Sequence, residues 1–305
     1  MLSVRRVLFP TDFSEGAATA FPQAVYLADW HDAELHIVNV VLPEGEAEVT
    51  LPASVDTLRA WLGASSPLAE TVEGLSIVQR QVESEAPPER LVAYAEDQDI
   101  DLVVMGTHGR RGVRRMLLGS VTEEVIRRAP CPVYTIQADV DEAPAQAVHR
   151  ILVPVDFSEA SETAVRHAME VARTYGAEVH LLHVVEEVVY PSAYGIEPAL
   201  FPSEEVVARV ENTLGEMARE GTSYENVQVA ATIGYAPMTI LDYVQENEID
   251  LVVIATHGRA GLDRMLLGSV AERVIRQSPV PVFVVKPDRK SLVPAEKKEA
   301  AAARG

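Results

Sequence analysis

Asp101-Leu102-Val103-Val104-Met105-Gly106-Thr107-His108-Gly109-Arg110-Arg111-Gly112-Val113-Arg114-Arg115-Met116-Leu117-Leu118-Gly119-Ser120 decides how this chain is read. Its opening apolar run has the length and continuity of a buried strand. Beyond it, Val121-Thr122-Glu123-Glu124-Val125-Ile126-Arg127-Arg128 reads as a helix. Between them lies a long glycine-marked loop. Glycines let a ligand approach main-chain N–H groups, and the start of the following helix offers unpaired donors at a positive dipole end. Arg110, Arg111, Arg114 and Arg115 add cationic charge to this one loop of an acidic protein. The combination points to an anion site, phosphate above all.

Working outward, the same stretch returns. Asp101-Leu102-Val103-Val104 recurs as Asp250-Leu251-Val252-Val253, and Met116-Leu117-Leu118-Gly119-Ser120-Val121 as Met265-Leu266-Leu267-Gly268-Ser269-Val270. The opening Arg6-Val7-Leu8-Phe9-Pro10-Thr11-Asp12-Phe13-Ser14-Glu15 recurs as Arg150-Ile151-Leu152-Val153-Pro154-Val155-Asp156-Phe157-Ser158-Glu159. An internal repeat of this kind settles the architecture before any single element does. We expect a first domain over 1–138, an acidic proline-bearing linker over 139–148, a second domain over 149–287 and a disordered tail over 288–305.

Within each repeat, strands alternate with helical patterns. Strands are expected near 5–11, 33–41, 75–83, 101–106 and 132–137, with helices over 14–30, 54–64, 87–97 and 120–128. The second series places strands near 150–155, 177–185, 226–233, 250–255 and 281–286. Continuous apolar strands alternating with helices imply a parallel sheet covered on both faces.

Gly106, Gly109, Gly119 and Ser120 carry a spacing of glycine, two residues, glycine, nine residues, glycine-serine. With the opening Val7-Leu8-Phe9-Pro10-Thr11-Asp12-Phe13-Ser14-Glu15, that pattern resembles the universal stress protein family, twice over and across nearly the whole chain. The resemblance implies two tandem doubly wound parallel five-stranded sheets of strand order 3-2-1-4-5, Rossmann-like and of the adenine nucleotide alpha hydrolase-like type. In such sheets ligands bind where the strand order reverses, outside the carboxyl ends of the first and fourth strands.

The resemblance also implies a site for ATP, or ADP or AMP, carried with Mg²⁺. It would be formed by Pro10, Thr11, Asp12, Val40, Met105, Gly106, Thr107, His108, Gly109, Arg110, Arg111, Gly119, Ser120 and Val121. Asp12 would lie against the adenosine end, and Val40 would meet adenine through its backbone. A weaker second site would use Pro154, Asp156, Val184, Ala255, Gly258, Arg259, Gly268, Ser269 and Val270. Ala255 stands there in place of the first glycine, a costly exchange if the backbone needs positive φ or a ligand approaches closely. Asp263 also lies between Arg259 and Arg264.

Competing structural roles exist for these residues. Ser120 with Glu123, and Ser269 with Glu272, fit capping boxes. Asp12 is a good N-cap for a helix starting near Ser14. His108 and His257 touch phosphate or fill the turn. His36, His180 and His183 on the second strands are expected to be satisfied, partly buried histidines, because the chain offers no zinc-ligand spacing.

Composition bounds the remaining classes. The formal net charge of −20 argues against a nucleic-acid partner. Lysine occurs only at Lys286, Lys290, Lys297 and Lys298. A solvated acidic surface or adaptation to high salt would account for this. No apolar run approaches membrane-spanning length, and the start of the chain reads as cytoplasmic, with no signal peptide. Cys131, the single cysteine, reads as a small buried hydrophobe.

No catalytic set stands out. The expected function is a stress-response regulator that binds nucleotide mainly in the first repeat. A slow ATP hydrolase or autophosphorylating protein is one alternative, and a nucleotide-free interaction module using the sheet edges and the 188–202 stretch is another. The fifth strands, Val133–Ile136 and Val282–Val285, are apolar edges that could pair the two repeats with each other, with a further homodimer left open.

Overall fold

A computed structural model describes residues 2–43, 55–62, 66–107, 118–137, 148–186, 204–221, 224–256 and 267–293. In the first repeat, β1 (Arg6–Pro10), α1 (Glu15–Trp30), β2 (Glu34–Val41) and α2 (Val55–Leu62) are followed by two short 3₁₀ turns. Then come β3 (Ile77–Glu83), α3 (Pro87–Asp97), β4 (Leu102–Gly106), α4 (Ser120–Arg128) and β5 (Val133–Ile136). The second repeat comprises β6 (Arg150–Pro154), α5 (Glu159–Tyr175), β7 (Glu178–Val185), α6 (Glu204–Gly221), β8 (Val227–Ile233), α7 (Ala236–Glu246), β9 (Leu251–Ala255), α8 (Ser269–Gln277) and β10 (Val282–Val285).

Each half has the strand order 3-2-1-4-5, all parallel. The two sheets are one, however. β5 pairs with β10 antiparallel, with Tyr134 opposite Phe283, and joins the halves into a ten-stranded sheet. Pairing removes both exposed apolar edges at once. The sequence reason is the short uncharged runs VYTI and VFVV, buried along their whole lengths.

Alternation along each strand divides the core into two layers. Val7, Phe9, Val104 and Val253 face α1, α2, α5 and α6, and Phe9 meets Phe21 of α1 at 5.2 Å between ring centres. Leu8, Val103, Met105 and Val252 face α3, α4, α7 and α8. Both layers run through the repeat boundary, so apolar burial, the main stabilising term of folding, binds the halves together as well as each half internally.

The chain beyond β10 differs from expectation. The tail was expected to begin at 288, yet residues 290–293 pack against the first repeat and against His167 of α5. Lys290 donates its N–H to Pro130 O at 2.9 Å, and its Nζ lies 2.6 Å from Asp101 Oδ1 and 2.7 Å from Asp99 Oδ1. Leu292 is 2% exposed and accepts from Ser3 N at 3.1 Å. Two adjacent apolar side chains, Leu292 and Val293, supply the burial that orders this segment. The 188–202 stretch and the tail beyond 293 lie outside the described residues, as does the linker except for Val148.

Candidate functional site

β1 and β4 are neighbours, and the chain reverses its strand order between them. The segment leaving β1 is held by its own side chains. Thr11 donates its N–H to Val38 O at 2.9 Å, and its Oγ1 accepts from Phe13 N at 3.0 Å. Asp12 Oδ1 accepts from Ser14 N at 3.0 Å, and Ser14 Oγ accepts from Ala17 N at 3.2 Å. Ser14, not Asp12, is therefore the N-cap of α1. Asp12 closes an Asx turn one step earlier. Between them Phe13 sits at φ 61°, a left-handed conformation costing about 1 kcal/mol or more in a bulky residue. Its ring packs edge-on against Trp61 at 5.3 Å, which helps hold it there. Phe157 repeats the same conformation at φ 59°.

β4 delivers the other wall. Gly106 ends the strand, Thr107 donates to Ile136 O at 2.9 Å, and Gly119 N–H returns to Thr107 O at 2.9 Å. That bond brings the two ends of the glycine loop to one point. α4 then begins with Gly119 as its N-cap and no side-chain cap. The Ser120–Glu123 capping box is thus absent. Ser120 is already helical and exposed, and Glu123 N–H goes to Gly119 O at 2.9 Å. The same holds for Ser269, where Gly268 is the uncapped N-cap of α8. An uncapped start presents N–H groups and the positive end of the helix dipole at the carboxyl edge of the sheet.

The structure brings Pro10, Thr11, Asp12, Gly106, Thr107, Gly119, Ser120 and Val121 to that edge. Val40 is half-buried against the α3/α4 core layer together with Leu118 and Val121. Met105 is buried in that layer, 5% exposed, so its side chain belongs to the core. His108, Gly109, Arg110 and Arg111 lie outside the described residues, as do Gly258 and Arg259. In the second repeat Asp156 Oδ1 accepts from Ser158 N at 3.0 Å, and Val184, Val270 and Leu267 are half-buried like their counterparts.

Two neighbours escaped the sequence reading. Asn39 Nδ2 donates to Thr11 O at 2.8 Å and fixes the Asp12 turn from below. A buried amide inside the apolar run of β2 was the available signal. Thr122 Oγ1 donates to Gly106 O at 2.9 Å and ties α4 to the end of β4. Its counterpart Ala271 cannot do so. Where Asn39 stands in repeat one, His183 stands in repeat two. His183 Nδ1 donates to Val155 O at 2.6 Å, which fixes its tautomer while it is neutral.

The other strand histidines are satisfied in a structural way. His36 Nδ1 meets Tyr94 Oη at 2.9 Å and its Nε2 meets Glu34 at 2.7 Å, with burial holding its pKa below the usual value. His180 copies this with Tyr243 and Glu178. Cys131 is fully buried, and burial pushes its thiol up to about 12, which leaves it unreactive. No helix among the described residues is long and apolar enough to cross a membrane.

Two doubly wound parallel units, each open at its switch point and sharing one sheet, define a tandem Rossmann-like α/β protein. The chain belongs to the universal stress protein family, whose model matches residues 3–137 and again 147–286. A universal stress protein of Mycobacterium tuberculosis is 33% identical over 189 residues, 62% of each chain, so the matched stretch spans less than two thirds of that relative. One from Mycolicibacterium smegmatis is 28% identical over 295 residues, covering 92% of this chain and 97% of its own. The crystal structure of a universal stress protein from Archaeoglobus fulgidus superposes with a TM-score of 0.64 at 25% identity, covering 92% of this chain and 98% of that one.

Proposed function

We propose that the crevice between β1 and β4 binds ATP or a related adenine nucleotide, and that occupancy of this site is the regulatory signal of a cytoplasmic stress-response protein. The observation that carries the reading is the uncapped start of α4 at Ser120, on the carboxyl edge of the strand beside the Asp12 turn. Helix starts of this kind are seats for phosphate. The Asp12 carboxylate, on the neighbouring strand end, suits the hydroxyls of a ribose. A bound triphosphate would bring Mg²⁺, which needs few protein ligands when phosphate oxygens supply the rest. The four arginines of the first loop, against two arginines and an aspartate in the second, support the first repeat as the main triphosphate site.

The test is to purify the protein without added nucleotide, denature it and identify what is released by mass spectrometry. Gly119→Val is the control. Gly119 has φ −62° and ψ 136°, an extended conformation open to valine, and the variant's melting temperature beside the wild type shows whether it folds normally. Adenine nucleotide in the wild type and its loss in a normally folded variant is the expected result. No release, followed by no binding in a direct ATP titration, would overturn the reading and favour an interaction module.

A further inference from the structure

The chain leaves β10 and crosses the boundary between the repeats. Lys290 holds one end of the crossing through Asp99 and Asp101 of repeat one. Leu292 holds the other. Its carbonyl accepts from Ser3 N, and its side chain lines the cavity between the repeats together with Leu2 and Val4. Its own N–H goes to repeat two, donated to His167 Nε2 at 3.3 Å. Residues 290–293 thus form a strap tied to both halves.

His167 lies in α5 and is 2% exposed. Its Nδ1 is 2.9 Å from Thr163 O, one turn back along the helix. A carbonyl only accepts, so Nδ1 carries the hydrogen. Nε2 is then the bare nitrogen, as its bond from Leu292 N–H requires. Two separate partners fix one form of the ring, neutral with its hydrogen on Nδ1. A protonated ring would set a second N–H against Leu292 N–H and leave that buried amide without its acceptor. Ser291 Oγ, 3.4 Å from Nε2, accepts from Val293 N–H at 3.2 Å and so holds the turn of the strap itself. When the Ser14 and Ser158 caps are aligned, Gln23 stands in repeat one where His167 stands in repeat two. Gln23 is as deeply buried, but an amide does not titrate.

We propose that His167 makes the strap a pH-sensitive latch, closed while the imidazole is neutral and released when it is protonated. The proposal is independent of the nucleotide reading. A histidine freed from these bonds titrates near its ordinary value of about 6.5. The docked strap excludes the proton and the released strap admits it, so docking is complete above that value and weakens as the pH falls below it. The charges nearby have partners of their own. On α5, Glu170 is engaged by Arg173, and Arg166 donates to Thr163 Oγ1 at 2.7 Å. From β10 the ring meets Phe283, uncharged, at 6.3 Å between ring centres. On the strap, Lys290 hydrogen-bonds to Asp99 and holds that carboxyl below the usual carboxylate range, so this end stays fastened in mild acid. Release at His167 lifts Leu292 and Val293 alone. It uncovers Leu2 and Val4, while Lys290 and the β5–β10 pairing keep the halves joined.

The test is amide hydrogen exchange and nitrogen NMR on the full chain at about pH 7.5 and about pH 5.5, for the wild type and for His167→Gln, which installs the residue of repeat one. Protection of Leu292 N–H, corrected for the intrinsic pH dependence of exchange, is expected to fall about tenfold in the wild type, the most that one proton supplies a unit below 6.5. It should stay level in His167→Gln. Val153, fully buried in β6, should keep its protection at both values, which separates local release from unfolding. The ring nitrogen shifts of His167 should report hydrogen on Nδ1 at the higher pH. A ring carrying its hydrogen on Nε2 there would overturn the proposal even if the glutamine variant failed to fold. Level Leu292 protection in the wild type, or an equal fall in a folded His167→Gln protein, would overturn it as well.

Discussion

The end of β4 and the end of β9 occupy the same place in the two repeats, and they solve one packing problem with different residues. In repeat one a Cβ on Gly106 would lie 2.1 Å from Gly16 O and 2.8 Å from Gly16 C, inside the backbone of α1. In repeat two Ala255 carries that Cβ and is 7% exposed, with α5 presenting Ala160 where α1 presents Gly16. Among the described glycines only Gly176 has positive φ. Gly106 is therefore a glycine because a helix comes close, not because a turn demands it. Ala255 is the mark of a helix set farther from its strand. Ala255 thus reports packing against α5, and the sequence difference that remains between the two crevices is the charge of their loops.

The sharpest way to break this comparison is to exchange the residues. Gly106→Ala is expected to cost about 3 kcal/mol or more, at the upper end of overpacking penalties, because its clash is with backbone that cannot rotate away. Ala255→Gly should cost only about 1 kcal/mol, the entropy and small burial lost on removing one methyl from a strand. Urea denaturation of the two variants beside the wild type measures both. Equal costs would show that α1 and α5 stand at the same distance from the sheet and would remove the packing account of the glycine.

A second contrast lies just beyond the paired edge strands. Gln137 follows β5 and donates its side-chain amide to Arg276 O. Lys286 follows β10 and donates Nζ to Ala129 O at 2.8 Å. The contacts are alike, but only one of the groups titrates. Burial lowers the Lys286 amine to about 7, with nearby Arg289 acting in the same direction and Cys131 against it. The unfolded chain binds this proton below its usual pKa of about 10.5, whereas the folded chain does so only near 7. Between those values the unfolded state holds more protons, so stability rises with pH. Lys286→Gln, which installs the residue of repeat one, should keep the contact and flatten that rise. It should gain about 2 kcal/mol at pH 7, below the ceiling set by the full shift. Chemical denaturation at pH 7, 8.5 and 10 reads the slope. An unchanged slope would mean that the amine stays charged in the folded protein.

The strands were legible in the chain itself. Apolar runs such as Leu102–Met105, duplicated at 251–254, define the strands, because burial on both faces leaves no room for polar alternation. The switch-point crevice follows from topology, whereas the cap of α1 falls on Ser14, two residues beyond the Asp12 that the sequence pointed to. What escaped was contact between residues distant in sequence. Gly16 against Gly106, Asn39 beneath Thr11 and Thr122 on Gly106 each need the folded sheet to bring them together. The capping boxes failed for a related reason. Gly119 N–H is drawn to Thr107 O, so the helix starts one residue earlier than Ser120 as a cap would require. Lys290 and Leu292 were unreadable because this short segment gains order from residues far away in sequence, Asp99, Asp101 and Ser3 of the first repeat and His167 of α5.

The smallest expected effect lies at the boundary itself, where His31 and Tyr175 occupy equivalent positions at the ends of α1 and α5. Both line a cavity of about 30 Å³ between the repeats, with Leu102 and Leu251 in its walls. Burial lowers the His31 pKa and raises that of Tyr175. Tyr175 stacks on Trp30 at 5.1 Å between ring centres, and its hydroxyl is buried without a hydrogen-bond partner. An unpaired buried hydroxyl costs about 1 kcal/mol or more, and removing it leaves the ring and its stacking in place. Tyr175→Phe should therefore stabilise the protein by about 1 kcal/mol, read as an upward shift of the melting temperature with Trp30 fluorescence little changed. Because the ring spans both halves, the gain should appear in a single unfolding transition rather than in one repeat alone. A loss of stability would show that the hydroxyl finds a partner in solution and that the boundary is better satisfied than its geometry implies.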